Sequence, residues 1–382
     1  MDKTDIPGTF NAGATLGPVN KTNMTRIWNK HKQTNTPLKR KVFVGMSGGV
    51  DSSVTAGILR GQGYHVVGVH LRCWNIDGCA DQDAEDARRA AETLGIPFYV
   101  FDYEKEYKER VVDYMVSEYK AGRTPNPDVM CNNQIKFGLF FEKARKLGAD
   151  FIATGHYVSL KNKKLYSAKD KDKDQSYFLW TLTQKQLAHC LFPLGNLIKK
   201  TQVRALAKKF KLPNASKKDS QGICFLGQVN LPDFLGNFIP DKKGKILNTV
   251  GKTLGTHKGA HHFTIGQRRG LGVGGFKEPQ YVTQKDIKKN TITLAPATNT
   301  DFDSKKIELA SVNLISGSTI SAKVFARIRY RQPLFKATLK KSGTKYFLIS
   351  DKPEKFVAVG QSAVFYDAKG QMLGGGVINS TK

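Results

Sequence analysis

Acidic residues are scarce in this sequence. Its 382 residues include 32 Asp and Glu against 61 Lys and Arg, giving a formal charge of +29 and a pI near 9.8. So lopsided a balance points away from cationic partners and towards a polyanion, since a dense phosphate backbone gains from a cationic surface through counterion release. Long apolar runs are also missing: no stretch approaches the roughly 18 to 20 residues of a spanning helix, and no basic amphipathic helix stands out, so no membrane partner is expected. Cysteine is sparse and odd in number, at positions 73, 79, 131, 190 and 224, in text without an apolar signal segment. That excludes a disulfide scaffold and implies reduced thiols in a cytosol-like compartment. Cys73 and Cys79 lack a second Cys or His pair at ligand spacing, so no zinc site is expected there, and Cys190 in LAHCLFPL reads as a packed structural thiol.

Residues 1–40 are polar and rich in Thr, Asn and Lys, and are expected to be a disordered tail in a cytoplasmic protein. The alternative, a mitochondrial transit peptide, sits poorly with Asp2, Asp5 and a single Arg before Arg40. From Lys41 the text changes to KVFVGM, SGGVDSS, the apolar-periodic VTAGILRGQG and the strand-like HVVGVHL. Helical text follows at Asp81–Leu94, with Ala84, Ala87, Ala91 and Leu94 on one face, then the strand PFYVFDY, a helix near Glu104–Lys120 and the strand ADFIATGHY. This alternation predicts an α/β fold with a doubly wound parallel sheet over 41–240. Glycine-rich basic text predicts a small β-rich domain over 241–301, and alternating segments such as KVFARIRYRQ and KYFLIS predict an antiparallel β-barrel over 302–382.

SGGVDSS, at Ser47–Ser53, stands between a strand and a helix start, where glycine-turn N–H groups and the helix dipole surround an anion. An ordinary capped glycine turn is the plainer alternative. No Lys follows the glycines, so it is not the usual nucleoside triphosphate loop. A carboxylate at Asp51 beside bound phosphate needs Mg²⁺ or a partner cation. GRTPNPDVMCN (122–132) and DSQGICFLG (219–227) are turn-rich loops carrying Cys131 and Cys224, which only the fold can bring together.

SGGVDSS resembles the PP-loop of ATP pyrophosphatases. Together with ATGHY (153–157), KDQSYFL (173–179), TIGQRRGL (264–271), RYRQP (329–333) and the two cysteine loops, it makes the chain from Lys41 onward similar to the tRNA-specific 2-thiouridylase (MnmA) family. The resemblance implies ATP-dependent adenylation of a wobble uridine in the Lys, Glu and Gln tRNAs. Sulfur then comes from a persulfide on Cys224, loaded by a sulfur-relay protein or cysteine desulfurase, with Cys131 as nucleophile able to pair with Cys224. It implies ATP contacts at Gly45, Met46, Ser47, Gly48, Gly49, Val50, Asp51 and Ser52, at Leu71 and at Gly155. Target-base contacts fall on Asn126, Pro127 and Asp128, where Asp128 is also a candidate to move a proton. Other tRNA contacts fall on His156, Lys173, Asp174, Gln175, Arg329, Tyr330 and Gln361. For His156 a satisfied strand-end histidine is the plainer alternative.

If KVFARIRYRQ is one strand, Lys323, Arg327, Arg329 and Arg331 form a cationic stripe over an apolar face of Val324, Ala326, Ile328 and Tyr330. Two other readings compete: a PP-loop enzyme adenylating a small molecule, and an RNA-binding protein that has lost catalysis. The basic C-terminal half and both cysteine loops count against the first, and the intact SGGVDSS against the second.

Overall fold

Val42, Phe43 and Val44 are all buried in strand β1 (Lys41–Gly45), as expected of a central strand of a parallel sheet covered on both faces. The computed structural model describes residues 39–74, 79–219, 230–315 and 322–381. Residues 1–38 of the expected tail, and Cys224, therefore lie outside the described residues. Helix α1 (Val50–Gly61) follows β1, then β2 (His65–Arg72), helix α2 (Cys79–Thr93), β3 (Phe98–Asp102) and β4 (Phe151–Thr154). A hairpin of β5 (Val158–Lys161) and β6 (Lys164–Ser167) precedes the short β7 (Cys190–Leu191). The sheet runs β3-β2-β1-β4-β7 with every pair parallel. Its connection order reverses between β1 and β4, and at such a point ligands bind beyond the carboxyl ends of the strands. The amphipathic face read for α2 packs as expected, with Ala87, Ala91 and Leu94 buried and Ala90 added to them.

Beyond this domain, β8 (Gly244–Asn248), β9 (Thr253–His257), β10 (Gln280–Asp286) and β11 (Thr291–Pro296) form a four-stranded sheet in the order β10-β11-β8-β9. The C-terminal strands are β12 (Ser304–Leu314), β13 (Ala322–Arg327), β14 (Phe335–Ser342), β15 (Lys345–Glu354), β16 (Ser362–Tyr366) and β17 (Met372–Thr381). They close into an antiparallel barrel in the order β12-β15-β14-β13-β16-β17, filled by Ile307, Val324, Leu339, Leu348, Phe365 and Ile378.

One expected strand is shorter than its text suggests. β13 ends at Arg327, so the alternation does not run on to Arg331. The Gln332 side chain accepts the Ile328 N–H at 2.9 Å, and Arg331 has φ of 63°, which turns the chain ahead of Pro333. The four-residue cationic stripe is not a strand face.

The barrel is fixed to the first domain by buried polar bonds. Tyr177 donates its hydroxyl to the Ser362 carbonyl (3.0 Å), Trp180 Nε1 donates to Ser362 Oγ (3.0 Å), and Asn313 Nδ2 donates to the Trp180 carbonyl (2.7 Å). Burial without these partners would cost about 1–3 kcal/mol for each group, so the network fixes one docking geometry.

Candidate active site

The loop joining β1 to α1 is shaped by backbone. Gly48 has φ of 75°, and a Cβ there would collide with the Asp83 carbonyl oxygen, so only glycine fits. Ser52 Oγ accepts the Ser47 N–H and donates to the Gly49 carbonyl, both at 3.1 Å, and Ser53 Oγ donates to the same carbonyl at 3.1 Å. No side chain caps α1 at Gly49. The first-turn N–H groups have no partner inside a helix, and here they face the sheet's carboxyl edge with the positive end of the helix dipole. Such an arrangement is an anion cradle.

Two neighbours tighten the cradle. A Cβ on Gly155 would lie 2.8 Å from the Ser52 nitrogen, so glycine lets the chain leaving β4 pass directly over the start of α1. His70 Nδ1 donates to the Met46 carbonyl at 3.0 Å, and burial lowers the imidazole's pKa, keeping it neutral. Leu71 is buried near the end of β2. The expected nucleotide residues thus converge on one edge.

Asp51 has the partner cation its position demands. Lys199 Nζ bonds to it and Tyr157 donates its hydroxyl at 2.7 Å. Burial and the Asp51 charge push the Tyr157 phenol well up, so it stays protonated. Lys199, whose side chain is 4% exposed, also meets Asp219 at 3.2 Å, where Lys173 (2.5 Å) and Arg204 (3.0 Å) converge. Burial raises the Asp219 pKa, but the Lys173 and Lys199 bonds outweigh it and hold the carboxyl below its usual range. Sequence reasoning missed Lys199, one of two adjacent lysines in LIKKTQV. It also missed Asn214, which donates to the Gly48 carbonyl (2.9 Å) and Ser53 Oγ (3.0 Å). Asp219 stood in DSQG, a string quoted for its cysteine.

Cys131 ends the short helix Pro127–Cys131 and is fully buried. Pro127 sits in the first turn, where its missing N–H costs nothing, and the capping Asn126 Oδ1 accepts the Val129 N–H at 3.3 Å. The string NPDVMC is thus a helix-start signal that places a thiol one turn in. Asp128 is half-buried in that first turn. The segment before the helix is held by the barrel. Thr124 N donates to the Val359 carbonyl (2.8 Å), and Gln361 Nε2 donates to the carbonyls of Thr124 (3.1 Å) and Pro125 (2.9 Å).

The residues expected to meet RNA fall into two groups. Arg329 is exposed at the turn after β13, and Lys173 is half-buried in its bond to Asp219. Tyr330 packs on Phe178 with ring centroids 4.5 Å apart. His156 is 6% exposed, packs between Phe137 and Phe192, lies 2.7 Å from Thr154 Oγ1 and is held neutral by burial. Asp174 is buried, accepts the N–H groups of Ala168 (3.1 Å) and Ser176 (3.2 Å), and pairs with Arg327 at 3.5 Å. Gln175 Oε1 accepts the Tyr157 N–H at 3.0 Å. Arg327, expected on the outer stripe, instead lies over the Tyr366 ring at 5.1 Å with its charge against Asp174. Cys190 is buried on the sheet's edge strand, its thiol pushed up by desolvation, which leaves it unreactive. Cys73 is likewise buried.

Three family models match in succession: a tRNA methyl transferase HUP domain over 40–228, a tRNA methyl transferase PRC-barrel domain over 232–296, and an aminomethyltransferase beta-barrel domain over 304–378. The chain is 42% identical over 358 residues to the tRNA-specific 2-thiouridylase MnmA of Streptococcus sanguinis (strain SK36), covering 89% of this chain and 95% of that one. It is 46% identical over 346 residues to MnmA 1 of Geobacillus kaustophilus (strain HTA426), covering 86% and 93%. A solved 4-thiouridine synthetase–RNA complex with bound ATP aligns at 18% identity and a TM-score of 0.34 over 53% of this chain and 50% of that one, too slight to bear on function.

Proposed function

Because the chain belongs to the tRNA-specific 2-thiouridylase family, we propose that it converts a wobble uridine of the Lys, Glu and Gln tRNAs to 2-thiouridine, consuming ATP and a cysteine-borne sulfur. The observation that carries this reading is the uncapped start of α1 behind Gly48, with Cys131 held in a separate capped helix. An anion cradle suits the phosphates of ATP and has no use in methyl transfer, which the domain descriptions mention. It suits a small-molecule adenylating enzyme equally, but such an enzyme needs neither the basic barrel nor a second reactive loop.

The chemistry runs in three steps. Uracil O2 attacks the α-phosphate of ATP and pyrophosphate leaves, with Asp128 accepting the uracil N3 proton. The cradle and Lys199 stabilise the charge on the phosphates, and Asp51 is the carboxylate that would hold Mg²⁺, which would supply counter-charge to the polyphosphate. The terminal sulfur of a Cys224 persulfide then attacks C2, AMP leaves and a base–S–S–Cys224 link remains. Finally the Cys131 thiolate attacks Cys224 Sγ, forming a Cys131–Cys224 disulfide and releasing the thiouridine sulfur. An external thiol reductant resets the pair, and a sulfur-relay protein or cysteine desulfurase reloads Cys224. Asn126, Pro127 and Asp128 receive the flipped base, and Arg329 lies on the RNA side of the barrel. No helix among the described residues is long and apolar enough to cross a membrane, and we place the enzyme in the cytoplasm with its tRNA.

The test is reconstitution: purified protein, ATP, Mg²⁺, a persulfide-generating sulfur donor, a thiol reductant and unmodified tRNA, with nucleosides read by mass spectrometry. Appearance of 2-thiouridine with stoichiometric AMP supports the assignment. AMP formed only with a small-molecule acceptor, and none with tRNA, would reject it.

A further inference from the structure

The middle domain carries a cluster that the sulfur chemistry does not use. Asp241, just before β8, and His261 and His262, in the short 3₁₀ turn Ala260–His262, bring one carboxylate oxygen and two imidazole nitrogens within 4.8 Å of one another. His262 Nε2 lies 2.9 Å from Asp241 Oδ1, and the two imidazole rings stack with centroids 4.0 Å apart. Both rings are buried, His261 at 8% exposure and the His262 side chain at 8%. Yet His261 Nε2 and His262 Nδ1 are buried without a hydrogen-bond partner. An unpaired buried polar nitrogen costs about 1–3 kcal/mol, so each of the two rings is one partner short.

We propose that Asp241, His261 and His262 form a binding site for a borderline divalent cation, Zn²⁺ in the first instance, separate from the sulfur-transfer site. Two imidazoles and one carboxylate are the donor set such ions take, with a fourth position left for water. Ligand atoms about 2.0–2.2 Å from one Zn²⁺ lie roughly 3.3 Å apart, so the 4.8 Å spread must contract. Asp241, with its side chain 48% exposed in the segment before β8, is the group free to close that gap. Lys258 and Lys285 lie within electrostatic reach of Asp241 and His261. Their charges oppose any cation held by charge alone, which disfavours the oxygen-seeking Mg²⁺ and Ca²⁺ and leaves nitrogen ligation as the holding force. His261 also lines a cavity of about 180 Å³ with Lys242, Ile287 and Asn290, which gives an ion and its water a way in. Bound there, the ion would tie the segment before β8 to the 3₁₀ turn and stiffen the middle domain.

Co²⁺, the spectroscopic stand-in for Zn²⁺, tests this in the full-length chain carrying Cys131→Ser and Cys224→Ser, so that the active-site thiols do not compete. One equivalent should bind without a thiolate charge-transfer band and be displaced by Zn²⁺. His261→Ala and Asp241→Asn, added separately, should each weaken it by about 100-fold or more. Zn²⁺ should also raise the Tm of the double-serine parent but not of its Asp241→Asn derivative, whose exposed carboxylate can be lost without unfolding the domain. Equal affinity in the parent and the Asp241→Asn chain, or no Co²⁺ bound once the thiols are gone, overturns the site.

Discussion

The phosphate loop and the RNA-facing residues are both polar constellations, but one is made of backbone and the other of side chains. From Gly45 to Ser52 the geometry is set by a left-handed glycine and a helix start, and the expected residues gather at one edge. Among the residues expected to touch RNA, the side chains of His156, Asp174 and Gln361 bond within the protein, while Arg329 is exposed. A backbone site admits few residues, so its sequence reveals it. A polar side chain serves equally well as a ligand or as a domain fastener, and its letter does not say which.

The largest effect should come from the backbone site. Gly48→Ala forces a Cβ against the Asp83 carbonyl and strains a positive φ. AMP release should fall by about 100-fold or more, since a 1 Å misplacement is enough for that, while tRNA affinity stays near wild type. A Gly48→Ala enzyme with normal AMP release would mean the loop does not hold the nucleotide.

Gln361 sharpens the other side of the comparison. As a fastener, Gln361→Ala loses its bonds to Thr124 and Pro125 and leaves their carbonyls short of a donor, costing about 1–3 kcal/mol of stability and lowering kcat through the Cys131 helix. A lowered tRNA affinity with unchanged Tm would instead make it an RNA-binding residue. Replacing exposed Arg329 and Arg331 with Ala should reduce the salt dependence of tRNA binding, by about 0.7–0.9 in slope for each phosphate that is no longer neutralised, whereas Arg327→Ala should chiefly lower Tm.

The smallest effect is the pH response of His156. Its folded pKa lies well below 6.5 because of burial, so below pH 6.5 the unfolded chain binds the extra proton first. Stability is therefore intact above that pH and falls as the solution is acidified through the window below it. His156→Gln should flatten the decline of Tm between pH 7 and 5. An unchanged slope would place the imidazole in solvent, where it can meet RNA.

Much of the fold was legible because period and punctuation carried it. KVFVGM read as a strand, Ala84, Ala87, Ala91 and Leu94 read as a helix face, and the alternation of strands and helices read as a parallel sheet. The alternation of KVFARIRYRQ misled, because the Gln332 side chain closes a turn on Ile328 that no periodicity announces. Lys199 was illegible for a different reason. Nothing local marks it, and its role exists only because the fold carries a buried ammonium 148 residues along the chain to Asp51. Asp219 had a visible string around it but drew no attention beside a cysteine.

The two-thiol mechanism is the centre of the account, and one variant tests it most directly. Reconstituted Cys131→Ser protein, supplied with ATP, tRNA and a persulfide-generating donor, should be examined by intact-protein and nucleoside mass spectrometry together. Sulfur should still load onto Cys224, seen as a gain of one sulfur atom before tRNA is added; with ATP and tRNA, AMP should be released and the tRNA held on Cys224 through the base–S–S link, with no 2-thiouridine set free. Wild-type rates of 2-thiouridine formation by that variant would contradict the account, because they would leave buried Cys131 with no chemical role.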